Sequence, residues 1–182
     1  MGLFTKDIET LNDLFVHGLQ TIYYAENQIA ETLPTLIEKA EAPELKAALQ
    51  AHLGETQNQI TRVEQVFAQH GAEAKQSDCP AIDGILKAGN GMIGNIADTQ
   101  VRDAAITSAA QMVEHYEIAQ YGTLIAWAKE LGRDDCAALL NQTLDEEKGA
   151  DAKLTRVAET RVNARAGGGQ MGGQPQSTFH TV

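Results

Sequence analysis

The chain has 182 residues, of which 43% are hydrophobic, and its formal net charge is −11. This length is sufficient for one hydrophobic core, and this hydrophobic fraction excludes an intrinsically disordered chain. The acidic charge argues against nucleic-acid binding, because a negative surface repels phosphate groups. No stretch is apolar enough to span a bilayer, and the N-terminus lacks the basic and apolar regions of a secretory signal. We therefore expect a cytoplasmic protein that binds neither nucleic acid nor membrane.

The chain contains two cysteines, Cys79 and Cys136, which are far apart in the sequence. They form no Cys-x-x-Cys arrangement of the kind found in metal sites and redox motifs. We expect them to be reduced thiols that are buried or semi-exposed, as is usual in a reducing compartment.

The first half of the chain predicts two long helices. Thr10 and Asp13 can cap a first helix, in which apolar residues recur at helical spacing as far as Ile37. Pro43 lies in the first turn of a second helix, and Gly71 can end it. Residues 71–98 are diluted by glycine and predict a loop with a short helix.

The second half predicts two further long helices, one from Asp98 or Thr99 to Leu131 and one from about Asp134 to Asn163. Short joints within each half predict two antiparallel hairpins. The longer joint between the halves is able to cross the whole bundle, as in one-crossover bundles. The predicted fold is all-α, a ferritin-like four-helix bundle over residues 1–165 with a long crossover that contains a short fifth helix. The glycine-rich tail, residues 166–182, is expected to be flexible.

Acidic residues lie near the middle of each long helix. Glu117 and Glu147 are each about 15 residues from Gly132, so they are level in an antiparallel hairpin. Glu26 and Glu55 are about 16 and 13 residues from the first turn, a mismatch of about 5 Å at 1.5 Å per residue. The four helices therefore present carboxylates at a similar depth in the bundle.

The helical phase turns several of these acids inward. Glu26, Glu117 and Glu147 each lie within an apolar stripe, and Glu114 lies one turn from Glu117 on the same face. Several buried carboxylates require compensation, which divalent cations would supply. The alternative is that each glutamate is solvated, as most glutamates in helices are. The candidate metal ligands are Glu26, Glu55, Glu114, Glu117, Glu147, Asp151 and His52.

Oxygen-rich ligation at the junction of four helices predicts a site for two divalent metal ions. Such ligands suit iron or manganese, of which we favour iron. His52, three residues before Glu55, lies toward the core and adds an imidazole to this set. Tyr23 and Tyr121 lie within a turn of the acids and are candidate hydrogen-bonding or redox partners.

Five segments resemble the YciE/YciF-type family of bacterial ferritin-like stress proteins over roughly residues 8–163. They are Asp13-Leu14-Phe15-Val16-His17, His52-Leu53-Gly54-Glu55-Thr56-Gln57, Val113-Glu114-His115-Tyr116-Glu117-Ile118-Ala119, Tyr121-Gly122-Thr123-Leu124 and Leu144-Asp145-Glu146-Glu147-Lys148. The resemblance implies a rubrerythrin-like bundle with a di-metal centre, a homodimer and a role in the stress response.

The chain departs from the wider ferritin and rubrerythrin pattern at two positions. That pattern has Glu-x-x-His on the second and fourth helices, whereas Asn58 follows Glu55 and Ala150 follows Glu147 at that spacing. His52 and Asp151 are candidates to replace the two missing histidines.

Three functions are compatible with these features. The first is a di-iron or di-manganese oxidoreductase of the peroxidase, catalase or ferroxidase type, for which a partner protein would donate electrons. The second is a non-catalytic metal-binding stress or structural protein that acts as a helical homodimer. The third is a helical interaction module whose acids are solvated.

Overall fold

The computed structural model describes residues 8–168, which form helices joined by turns and one longer connection. The helices are α1 (Leu11–Lys39), α2 (Pro43–His70), α3 (Pro80–Gly94), α4 (Thr99–Glu130), α5 (Asp134–Val157) and α6 (Asn163–Ala166), with a π-helical turn at Ala158–Val162 between α5 and α6. Residues 169–182, most of the tail that we expect to be flexible, lie outside the described range.

Local signals set the main helix boundaries where the sequence predicted them. Thr10 and Asp13 form a capping box at the start of α1, each side chain accepting a hydrogen bond from the other residue's backbone N–H. Gly71 and Gly132 follow α2 and α4 with φ of 78° and 70°. Glycine adopts this left-handed conformation without the steric cost that a Cβ imposes.

The four long helices form an antiparallel bundle with one crossover. α1 packs on α2 and α4, and α5 packs on α2 and α4. The start of α4 meets the α1–α2 turn, because Asp103 accepts hydrogen bonds from the backbone of Glu41 and Ala42. The end of α2 meets the α4–α5 turn, because Arg133 donates a hydrogen bond to the carbonyl of Gln69. The connection from α2 to α4 therefore runs the length of the bundle, and α3 packs on α4 within it.

The fourth long helix contains the main departure from the predicted elements. The sequence predicts one regular helix to Asn163, but the structure has a π-helical turn from Ala158 to Val162. Leu154, Ala158 and Val162 are all buried at intervals of four residues. In a regular α-helix each such step drifts by about 40° around the axis, so a wider turn keeps these residues facing the core.

Two other sequence expectations can be compared with the described residues. Cys79 and Cys136 are free thiols, and both are buried. Within residues 8–168, no helix is both long enough and apolar enough to cross a membrane.

Candidate metal centre

Three helices bring four potential metal ligands together at mid-bundle. His52 on α2, Glu114 and Glu117 on α4, and Glu147 on α5 each offer a ligand atom, and these atoms all lie within 4.8 Å of one another. The spacing of three residues places Glu114 and Glu117 on the same side of α4, so both side chains face the bundle interior.

Glu26 extends this group from the fourth helix, α1. Its side chain is fully buried, and burial, followed by charge repulsion from Glu147, raises the pKa of its carboxyl group. The hydroxyl of Tyr121, which is also fully buried, donates a hydrogen bond to Glu26 Oε1. Glu26 Oε2 remains free to bind another group.

The carboxylates of this cluster have few protein partners. Glu26, Glu114, Glu117 and Glu147 are each at most 1% exposed. Among residues 8–168, no hydrogen-bond donor reaches Glu26 Oε2 or either oxygen of the other three glutamates, which leaves seven buried oxygens unsatisfied. An unpaired buried polar atom costs about 1–3 kcal/mol, and more when it is charged. A cluster of seven such oxygens is therefore unfavourable unless another group binds them.

Without a bound cation, burial keeps protons on these carboxyls. Loss of solvation, followed by interaction with Glu147, raises the pKa of Glu114 to about 11. Loss of solvation raises the pKa of Glu147 to about 7, and it raises the pKa values of Glu26 and Glu117 well above their ordinary range. The pKa of His52 falls to about 4, mainly through burial, so its contact of 3.5 Å with Glu114 is not an ion pair at neutral pH.

The nearby arginine is engaged elsewhere. Arg62 on α2 forms a two-point ion pair with Glu146 on α5, at 2.8 and 2.9 Å, and also donates to Thr143 Oγ1. Gln59 donates a further hydrogen bond to Glu146. Arg62 lowers the pKa of Glu26 only as a minor contribution, after burial and the repulsion from Glu147. This network connects α2 to α5 beside the cluster and does not neutralise it.

The structure places the remaining two predicted ligands at the edge of the cluster. Glu55 is half-buried and lines a cavity that also reaches His52 and Glu114. Asp151 lies 3.4 Å from His115 Nε2 and accepts a hydrogen bond from Gln111 on α4. Ligation by Glu55 or Asp151 stays a prediction.

The donor set fits a divalent metal ion. A metal would satisfy the unpaired oxygens and neutralise the buried charge, which the surrounding side chains do not do. Several carboxylates with one imidazole form a ligand set typical of iron and manganese, whereas zinc sites of the structural type use cysteine and histidine. The buried His/Glu cluster could therefore hold a metal ion.

Sequence reasoning did not find the interaction network around the cluster. The contacts of Arg62 with Glu146 and Thr143, and the hydrogen bond from Gln59 to Glu146, were not predicted. Gln59 and Thr143 are polar residues at buried positions, Gln59 seven residues after His52 and Thr143 four residues before Glu147, so each lies on the same helix face as a cluster residue. That pattern was the available signal.

Comparison with known proteins supports the same architecture. Residues 10–167 match a family described as a domain of unknown function, DUF892. Protein YciF of Escherichia coli (strain K12) is 42% identical over 161 residues, which cover 88% of this chain and 97% of YciF.

Several proteins of known structure share this fold. YcfI from Rhodopseudomonas palustris is 53% identical with a TM-score of 0.83, covering 86% of this chain and 99% of that one. The E. coli stress protein YciF has a TM-score of 0.82 at 42% identity, with the same coverages. A Xanthomonas campestris protein at 21% identity has a TM-score of 0.69 over 89% of this chain and 100% of that one, and it shows the fold alone. This chain belongs to the DUF892 family, which includes the YciF-type stress proteins.

Proposed function

We propose that this protein binds two divalent metal ions at mid-bundle, preferably iron and alternatively manganese, and uses them for redox chemistry with peroxide or oxygen. The observation that carries the proposal is the set of seven unsatisfied carboxylate oxygens on four buried glutamates. His52, Glu114, Glu117 and Glu147 would be the central ligands, Glu26 would join through Oε2, and Glu55 and Asp151 are additional candidates.

Held by the cluster glutamates and His52, the two ions would supply the electrons for reducing peroxide or oxygen. The protein would bind and orient the ions, and the surrounding apolar side chains would exclude bulk water. Tyr121 would hold one oxygen of Glu26 and so direct the other toward the ions. A separate electron-donor protein would return the centre to its reduced state after each turnover.

We propose the physiological role of this protein by analogy with a relative. E. coli YciF is described as a stress protein, and we propose a stress-associated role in the cytoplasm for this chain. We also propose that it acts as a homodimer. Sedimentation equilibrium of the metal-loaded protein would test this assembly, and a monomer at micromolar concentration would contradict it.

The direct test is elemental analysis of protein purified without oxygen. We expect about two ions per chain in the wild type, and at most half of that in Glu117→Gln and Glu147→Gln. Glu130→Gln, an exposed position at the end of α4, is the control and should keep full occupancy. Full occupancy in both cluster variants would eliminate this site.

A second candidate is a non-catalytic metal-binding protein with a stress or structural role. The distribution of the candidate ligands over four helices favours it. An ion bound by Glu26, His52, Glu117 and Glu147 would join all four long helices. The R. palustris relative YcfI is described as a candidate structural protein. Peroxide consumption by the metal-loaded protein separates the two candidates, because only the oxidoreductase should consume peroxide in a way that depends on the metal.

A further inference from the structure

A cavity of about 270 Å³ lies between α2 and α5 beside the glutamate cluster. Its inner wall includes His52 and Glu114, two members of the cluster. Its outer part includes Gly149 and Lys153, which are exposed, and Glu55, which is half-buried. The cavity therefore extends from the protein surface to the candidate ligands.

Two residues at the inner end of the cavity carry polar atoms that lack partners. His52 is 5% exposed, and its Nδ1 has no hydrogen bond to residues 8–168. Glu114 is 1% exposed, and neither of its oxygens has a hydrogen-bond partner in the same range. Unpaired polar atoms on the residues that line a cavity of this size are normally satisfied by water or by a ligand.

Carboxyl groups outnumber basic groups on the cavity wall. Glu55 and Glu146 both line it, and Glu146 is also ion-paired with Arg62. Lys153 is the single basic residue among the residues that line it, and it is close enough to affect both His52 and Glu55 electrostatically. Glutamates at a partly enclosed opening raise the local concentration of cations.

The cavity has enough volume for an ion that still carries water. Six water molecules occupy roughly 180 Å³ at about 30 Å³ each, which is less than the volume of the cavity. Small residues line this side, namely Ala48, Gly149 and Ala150. A Cβ at Gly149 would have no neighbouring atom within 4 Å, so a larger side chain could be placed there without a clash at its first carbon.

We infer that this cavity is the path by which hydrated divalent cations reach the cluster, with Glu55 attracting the ion and His52 and Glu114 receiving it. The inference rests on the proposed metal site, but it concerns the rate of loading and not the final occupancy. The two can therefore fail separately.

The test is the rate at which full-length, metal-free protein takes up Co²⁺, followed by the visible absorption of the bound ion in a stopped-flow instrument. Gly149→Leu should slow uptake at least about tenfold while the final stoichiometry stays at the wild-type value, because a close-packed passage must open before an ion can pass. The control, Gly54→Leu, introduces the same side chain at an exposed position of α2 that also has open space around its Cβ. It should load at the wild-type rate.

Changing the charge of a residue that lines the cavity gives a second test of the uptake rate, and this test does not depend on filling the cavity. Lys153→Glu should speed uptake about threefold at low salt, and the gain should shrink as the salt concentration rises and screens the charges. Lys129→Glu, an exposed residue in the last turn of α4, makes the same change in net charge away from the cavity and should have little effect.

The outcomes distinguish the two proposals. Wild-type uptake rates in both Gly149→Leu and Lys153→Glu, with normal stoichiometry, would overturn the path and leave the metal site intact. A wild-type protein that binds no Co²⁺ would overturn the metal site and the path together. If Gly149→Leu lowers the final stoichiometry, leucine has disturbed the ligands, and the rate in Lys153→Glu then decides.

Discussion

Asp103 on α4 accepts a hydrogen bond of 2.8 Å from the backbone N–H of Ala42, the residue that precedes α2. Its second oxygen accepts another from Glu41 N–H, also at 2.8 Å, and the side chain is only 4% exposed. The capping position of α2 is an alanine, which has no side-chain acceptor of its own. A carboxylate from a helix distant in sequence therefore satisfies two backbone donors of the α1–α2 turn, just before α2, and fixes the point to which the crossover returns.

Replacing Asp103 should consequently cost more than losing an ordinary cap. We expect Asp103→Ala to lower the free energy of unfolding by about 3 kcal/mol, because two backbone donors lose a charged acceptor in a buried place. Asp103→Asn, which retains one acceptor oxygen, should lose about half as much. Urea denaturation of metal-free protein measures both values.

The control for this prediction is Asp98→Ala. Asp98 caps α4 through hydrogen bonds to Gln100 and Val101 N–H groups at an exposed site, so its loss should cost about 1 kcal/mol. If Asp98→Ala and Asp103→Ala lower the free energy of unfolding equally, the contact of Asp103 with the α1–α2 turn contributes no more than an ordinary helix cap.

The sequence predicted those parts of the fold that depend on neighbouring residues. Thr10, Gly71 and Gly132 mark helix ends by local chemistry, and these ends are where they were expected. The role of Asp103 depends on a partner about 60 residues away, so no local pattern revealed it. The π-helical turn after Val157 depends on how the end of this helix packs on the core, which is also a property of the assembled fold.

The sequence also predicted only part of the candidate metal site. Helical phase was sufficient to turn Glu26, Glu117 and Glu147 inward, and all three are buried. Helical phase also placed His52 nearer the core than Glu55, which is one turn away on α2. The structure has His52 in the cluster, whereas Glu55 lines the cavity beside it.

The contact between α3 and α4 also requires a glycine. A Cβ at Gly89 would lie 2.9 Å from the Cβ of Ala109, which is fixed to its backbone and cannot rotate away. We expect Gly89→Ala to lower the free energy of unfolding by about 1–2 kcal/mol, since the strain of overpacking outweighs the higher helix propensity of alanine. The midpoint of thermal unfolding should fall accordingly.

Gly84→Ala on the same helix is the matched control. Gly84 is exposed, and a Cβ there would have open space around it. This variant should be more stable than the wild type by about 0.5–1 kcal/mol. A Gly89→Ala variant as stable as Gly84→Ala would show that α3 can move away from α4 at no cost.

The stability of the metal-free protein should fall as the pH rises from about 5 to 7. In the unfolded chain the glutamates ionise near their ordinary pKa of 4.5, whereas burial raises the pKa of Glu147 to about 7 and that of Glu114 to about 11 in the folded protein. The folded state then binds more protons than the unfolded state, so increasing pH favours unfolding. His52, with its pKa lowered to about 4, opposes this trend below about pH 6.5, but by one proton only.

Denaturation curves at several pH values measure this dependence. We expect the free energy of unfolding to fall by at least about 1.4 kcal/mol per pH unit, the slope for one net proton. Glu114→Gln should flatten the slope, because glutamine has no proton to lose. Stability that is constant or rising across this range in metal-free wild-type protein would contradict the assigned burial of the four carboxyls.

Metal binding should release protons from the same groups. At pH 7 the raised pKa values of Glu26, Glu114 and Glu117 keep these carboxyls protonated, and Glu147 is near its midpoint. A carboxylate must be ionised to bind a cation, so we expect about three protons to leave when the site fills. Titration calorimetry with Mn²⁺ in buffers of different ionisation enthalpy counts them.

The count also tests which residues bind. In Glu117→Gln the released number should fall by about one, because the amide carries no ionisable proton. In the exposed control Glu130→Gln it should match the wild type. The apparent affinity of the wild type should rise by about tenfold per pH unit for each proton released, since the cation competes with those protons for the same oxygens. Mn²⁺ binding without proton release would place the ion outside the buried cluster, on carboxylates that are already ionised at the surface.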